Sequence, residues 1–201
     1  MLKTISLMID LKDYQLVLAS GSPRRKAFFD TLGIPFTIKT HPVDESYPSN
    51  LKGAAIAEYI AQKKLIPFAQ NPTPNEIVVT ADTIVWHQEQ CLGKPKDTDD
   101  AIRMLQSLSG STHEVISAVA LLKDGKTTVF HCLTQVEFRT LKIEEIQHYV
   151  RTQAPMDKAG SYGIQDWIGE VGITQIKGSY TNVVGFPLST FITVLANCLK
   201  E

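Results

Sequence analysis

Ile77–Trp86 reads IVVTADTIVW, and the rest of the chain can be arranged around it. Apolar and β-branched residues fill both ends, the composition of a buried strand. Asp82 interrupts the run at its centre. A buried carboxylate without a partner is costly. Either the strand ends there with Asp82 in water, or the carboxylate has a metal or cationic partner. Aspartate at the carboxyl end of a sheet strand is also where open α/β folds place ligand chemistry.

On the N-terminal side, Leu16–Ala19 is a short apolar run that ends in Ser20-Gly21-Ser22-Pro23. The spacing predicts a helix there, with Ser22 as N-cap, Pro23 first in the helix and a stripe of Phe28, Phe29 and Leu32. Gly33 suits a left-handed C-cap. Pro35–Lys39 reads as a strand, His41–Asn50 as a polar loop, Ala54–Leu65 as a helix and Pro67–Asn75 as a linker. On the C-terminal side, Lys94-Pro95-Lys96 lies in a loop and Thr98 is the expected N-cap of a helix over Asp99–Leu108. His113–Leu122 and Thr127–Arg139 flank Asp124-Gly125, a tight-hairpin signal. Ile143–Val150 reads as a short helix, Gly160–Gly185 as a glycine-rich region with strand-like pieces, and Pro187–Leu199 as a closing amphipathic helix. Alternating elements followed by a long hairpin predict an α/β fold, a mixed twisted sheet with flanking helices, with room for two lobes around a cleft. Residues 1–14 read as an N-terminal extension and 15–201 as a single domain.

Composition narrows the function. The 201 residues carry 20 Lys+Arg against 21 Asp+Glu, a formal net charge of −1, which argues against nucleic-acid binding by bulk electrostatics. No apolar run approaches the roughly 18–20 residues that span a bilayer. Cys91, Cys132 and Cys198 form no C-x-x-C pattern, and the histidines show no paired spacing, so neither a disulfide scaffold nor a structural zinc site is expected. The expectation is a reduced, cytoplasmic globular protein with no membrane or nucleic-acid partner.

Ser20-Gly21-Ser22-Pro23-Arg24-Arg25 sits between a strand and a helix start. It reads either as an ordinary capped turn or as an anion site, where free backbone N–H groups, two hydroxyls and two guanidinium groups meet phosphate oxygens. It is not a Walker A loop, because the G-x-x-x-x-G-K-[ST] spacing is absent. Glu45, Lys64, Lys94 and Asp157-Lys158 are each compatible with plain surface charge.

Together the motifs resemble a known family. Leu18-Ala19-Ser20-Gly21-Ser22-Pro23-Arg24-Arg25 comes first, then Ala81-Asp82-Thr83, Gly93-Lys94-Pro95 and Leu108–His113. Asp157-Lys158-Ala159-Gly160-Ser161-Tyr162-Gly163-Ile164-Gln165 and Gly178–Leu188 complete the order. This resembles the Maf family of nucleoside triphosphate pyrophosphatases. The resemblance implies a fold similar to the inosine triphosphate pyrophosphatases, a divalent cation (Mg2+ or Mn2+) and a homodimer. It also implies hydrolysis of dTTP and UTP, or modified pyrimidine nucleotides, to monophosphate and pyrophosphate. Asp82 matches the proton acceptor, and Arg24, Thr83 and Gln165 match positions tied to base specificity. Beside that resemblance, Ser20, Ser22, Arg25, Lys64 and Lys94 offer phosphate donors and cations, and Glu45 with Asp82 offers metal ligands. The alternatives are a nucleotide-binding regulator of septation and a sibling pyrophosphatase for modified purine nucleotides.

Overall fold

In the computed structural model, which describes residues 9–200, the first apolar run becomes strand β1 (Gln15–Leu18) and leads into helix α1 (Pro23–Leu32). The expected caps are present. Ser22 Oγ accepts from the Arg25 N–H at 3.4 Å, and Gly33 ends the helix at φ 64°. Strand β2 (Phe36–Ile38) and helix α2 (Ala54–Lys63) follow. Pro67–Asn75 is not the linker expected. Its start is part of helix α3 (Ile66–Gln70), with Pro67 in the first turn, where a missing N–H forfeits no helical bond.

Strand β3 (Glu76–His87) precedes β4 (Gln90–Leu92), helix α4 (Thr98–Leu108), β5 (Thr112–Lys123) and β6 (Lys126–Phe138). Asp97, rather than Thr98, caps α4. Its Oδ1 accepts from the Asp100 N–H at 2.7 Å, and a carboxylate there also favours the positive end of the helix. Asp124 and Gly125 turn the β5–β6 hairpin at φ 49° and 77°, the paired positive values of a tight hairpin turn. Helix α5 (Ile143–Gln153) comes next. The glycine-rich region then holds more helix than the strand-like pieces expected: a 3-10 turn at Ala159–Ser161, α6 (Trp167–Gly172), a lone strand β7 (Ile173–Lys177) and α7 (Tyr180–Val184). A glycine inside α6 explains part of the difference. A Cβ on Gly169 would lie 2.4 Å from the Ile164 carbonyl oxygen, so glycine lets the short helix lie flush on the preceding loop. Helix α8 (Leu188–Cys198) closes the fold.

The sheet runs β2-β1-β3-β5-β6-β7. β1 is parallel to both β2 and β3, and the remaining pairs are antiparallel. β5 covers one edge of β3 along Val78–Trp86. On the other edge β1 pairs with Glu76–Val79 and β4 with Val85–His87. Between those two short neighbours, residues 80–84 have no strand beside them, and this notch contains Asp82.

Three apolar clusters hold the layers. One, with Phe29, Phe186 and Phe191, packs α1 and α8 on one face of the sheet, and a second, with Ile56 and Ile60, packs α2 on the other. The third, with Leu105, Phe138 and Tyr149, gathers α4 and α5 at the far ends of the long strands. Each fully buried large side chain contributes about 1.5–3 kcal/mol. The first two clusters form one lobe and the third forms another, with the notch between them. Residues 1–8 of the expected N-terminal extension lie outside the described residues. Of the rest, Ile9 is buried in the first cluster and Lys12 Nζ donates to the Leu199 carbonyl at 2.7 Å. Among the described residues the cysteines are all free, and no helix is long and apolar enough to cross a membrane.

Candidate active site

A cleft of about 730 Å³ occupies the notch, within the range of small-molecule sites. Every candidate residue singled out from the sequence lines it: Ser20, Ser22, Arg24 and Arg25 from the first turn, Glu45 from the polar loop, and Lys64 from the end of α2. Asp82 and Thr83 come from β3, Lys94 from the loop after β4, and Gln165 from the loop after the 3-10 turn.

Asp82 is buried, at 8% exposure, and turns toward α2. Lys64, the residue after α2, places Nζ 2.7 Å from Asp82 Oδ1 and 2.9 Å from Glu45 Oε1. One ammonium therefore joins two carboxylates. Lys94 Nζ lies 3.8 Å from Glu45 Oε2 on the outer side. Burial pushes the Asp82 carboxyl above its ordinary range, and the pull of Lys64 and Arg25 reduces that rise without cancelling it. Burial also works against Glu45, but Lys64, Lys94 and Arg25 outweigh it and hold that group below its usual range. The two carboxylates are thus pushed in opposite directions, the separation expected where one acts as base and the other stays charged.

The opposite wall is built from the helix start. Arg25 donates through Nε to the Gly185 carbonyl at 3.1 Å, through Nη1 to Ser20 Oγ at 3.4 Å and through Nη2 to Thr83 Oγ1 at 3.3 Å. Among the described residues no carboxylate lies within ion-pairing distance of it. Burial lowers its proton affinity, partly offset by the more distant Asp82 and Glu45. Arg24 reaches the other way, across the cleft mouth, and pairs with Asp157 at 2.6 Å. Burial works to raise Asp157, but Lys158 and Arg24 prevail and hold it at about 2. Gln165 is exposed in the cleft.

Asp157 is a site residue that its local sequence did not distinguish from surface charge. Its partner Arg24 is 133 positions away in the chain, so only the fold brings them together. Lys158 belongs to the same corner, with Nζ 2.9 Å from Asp157 and 3.6 Å from Asp166.

Asp82 and Glu45 are hard oxygen donors, and among the described residues no group of three or more His, Cys, Asp or Glu side chains stands ready for a metal. Two carboxylates without a third fit a cation such as Mg2+, which keeps waters and takes substrate phosphates as its other ligands.

A family model described as Maf-like protein matches residues 15–198. The dTTP/UTP pyrophosphatase of Flavobacterium johnsoniae is 47% identical over 177 residues, covering 88% of this chain and 91% of that protein. The dTTP/UTP pyrophosphatase of Phocaeicola vulgatus is 46% identical over 190 residues, covering 94% of this chain and 98% of that protein. Among solved structures, the Staphylococcus aureus Ham1 protein aligns with a TM-score of 0.43 at 15% identity, covering 62% of this chain and 71% of that one.

Proposed function

The chain belongs to the Maf family, and from that premise we propose that it hydrolyses dTTP and UTP between the α- and β-phosphates, releasing the nucleoside monophosphate and pyrophosphate. The observation that carries this reading is Arg25: a partly buried cation, facing the same cleft as Asp82, with no carboxylate partner among the described residues. An uncompensated guanidinium in a cleft favours an anion, and a triphosphate brings several negative charges.

In this reading Arg25, Ser20, Ser22, Lys64 and Lys94 hold the phosphate chain, and Arg24 and Gln165 lie toward the base. A primary amide both donates and accepts, which suits the alternating edge of uracil or thymine. Asp82 takes the proton of the attacking water as the new P–O bond forms and the bridging P–O bond breaks, its electron pair leaving with pyrophosphate. Of the two Asp82 oxygens, Lys64 engages Oδ1, which leaves Oδ2 to face the water. The raised proton affinity of Asp82 suits a base working near neutral pH. A divalent cation held by Asp82 and Glu45 would neutralise charge on the phosphates when bound.

A panel of purine and pyrimidine triphosphates with Mg2+, with pyrophosphate quantified, tests the proposal. Release from dTTP and UTP well above that from ATP and GTP is the expected result. Equal rates across the panel overturn the pyrimidine preference, and no release overturns the activity.

A further inference from the structure

Successive residues of a strand face opposite sides of its sheet, and Thr83 accordingly turns away from Asp82, toward α1 and α7. Its hydroxyl lies 3.3 Å from Arg25 Nη2, 2.8 Å from Ser117 Oγ and 3.3 Å from the Gly185 carbonyl oxygen. Ser117, on β5, is fully buried and donates to the Asn182 carbonyl at 2.9 Å. A carbonyl only accepts, so the single Ser117 proton is committed there. Ser117 Oγ then accepts from Thr83 at 2.8 Å, closer than the Gly185 carbonyl that competes for the same proton at 3.3 Å, and Thr83 accepts from Arg25. The donors run one way, from the guanidinium to the backbone of α7.

The Asn182 side chain fixes the far end of this row. Its Nδ2 donates to the Val115 carbonyl and to Thr134 Oγ1, each at 3.0 Å. The Gly185 carbonyl meets the row again at Arg25, accepting from Nε at 3.1 Å. Gly185 has a φ of 121°, a conformation that glycine alone adopts readily, so the aim of that carbonyl depends on the residue type. Two of the three guanidinium nitrogens are thus set by β3 and the turn after α7.

We propose that Thr83 and Ser117 are positioning residues for phosphate binding, which, with the Asn182–Gly185 turn, fix the Arg25 guanidinium toward the triphosphate. Thr83 thereby acts through Arg25 as well as in the specificity role that the family resemblance implies for it. The inference rests on the proposed reading of the cleft as a triphosphate site. It also gives a task to the Gly178–Leu188 segment, which lies outside the catalytic roles above.

Calorimetric titration with sodium tripolyphosphate, which has no base and needs no turnover, tests it. Thr83→Val keeps shape and β-branching but removes the hydroxyl; Thr83→Ser keeps the hydroxyl; Ser117→Ala breaks the next link. Thr83→Val and Ser117→Ala are expected to weaken tripolyphosphate binding about tenfold, with Thr83→Ser within about twofold of the parent. In Ser117→Ala, which does not line the cleft, the ratio of kcat/KM for dTTP over GTP is expected to stay unchanged. Wild-type tripolyphosphate affinity in Thr83→Val, or a changed dTTP-to-GTP ratio in Ser117→Ala, overturns the proposal. If Thr83→Val does not fold, Ser117→Ala decides by the same readings. A parent protein that binds tripolyphosphate but hydrolyses no nucleotide defeats the proposed function while the variants still decide the relay. A parent that binds no tripolyphosphate defeats both.

Discussion

Arg24 Nη1 meets Asp157 Oδ2 at 2.6 Å across the mouth of the cleft, joining the start of α1 to the loop after α5. Apart from the shared strands, this pair is a direct tie between the lobes at the site. Asp157 is largely exposed, so the tie adds little stability, about 0–1 kcal/mol. Its depressed proton affinity sets the sign. The contribution is present above the ordinary carboxylate range and is lost as pH falls toward about 2. Asp157→Asn is expected to leave the melting temperature nearly unchanged at neutral pH and to raise KM for dTTP by about tenfold. Steady-state kinetics beside a thermal melt check both; an unchanged KM shows that the tie plays no part in binding.

Asp82→Asn separates activity from stability. Removing the base is expected to lower kcat by about 10²–10⁴-fold. Because burial raises the Asp82 carboxyl, its ionised form is disfavoured in the folded state, and stability declines as pH rises through the interval above the ordinary value. At neutral pH the neutral amide is therefore expected to melt at or above the parent. A variant that is inactive but clearly less stable contradicts the assignment of burial as the dominant cause.

With Asp82 as the base, Lys64 is expected to set the acid limb of the pH–rate profile. It holds Asp82 and Glu45 at 2.7 and 2.9 Å, and its charge opposes the rise in Asp82. Lys64→Met leaves two carboxylates facing each other without that cation, so the proton affinity of Asp82 rises further. The pH at which kcat/KM falls on the acid side is expected to move upward, and a limb that stays in place excludes Asp82 as the group it reports.

Gly160 marks where the second lobe presses on β3. Its φ is 67°, and a Cβ there would stand 2.8 Å from Val85 Cγ2. Gly160→Ala is expected to destabilise the protein by about 1–3 kcal/mol through overpacking and left-handed strain together. Urea denaturation measures it. A loss below about 0.5 kcal/mol would show that the loop yields at little cost.

The elements around the site were legible where a local signal sufficed. Ser22, Pro23 and Gly33 mark both ends of α1, Asp124-Gly125 marks the hairpin, and Asp82 stands out because a carboxylate interrupts an apolar strand. What escaped had no local signal. Pro67 looks like a breaker, yet it is tolerated in the first turn of α3. Asp97 competes with Thr98 as a cap, and only the hydrogen bond to Asp100 separates them. Asp157, Ser117 and Asn182 acquire their roles from partners on distant elements, through contacts that no spacing encodes.

The notch in β3 has a consequence for how such a protein can change. A reactive carboxylate carried on a loop can drift as the loop lengthens. Asp82 instead stands where the sheet leaves its own edge unpaired, between a neighbour that stops at Val79 and another that begins at Val85. Extending either short strand by a few residues would pair that edge and close the space. In the proposed reading the location of the chemistry is therefore tied to strand length, whereas Arg24, in the first turn of α1, and Gln165, in the loop after the 3-10 turn, can be replaced without altering any strand. On that reading, new base preferences are accessible by exchanging the rim, and the hydrolytic position stays where the sheet leaves room for it.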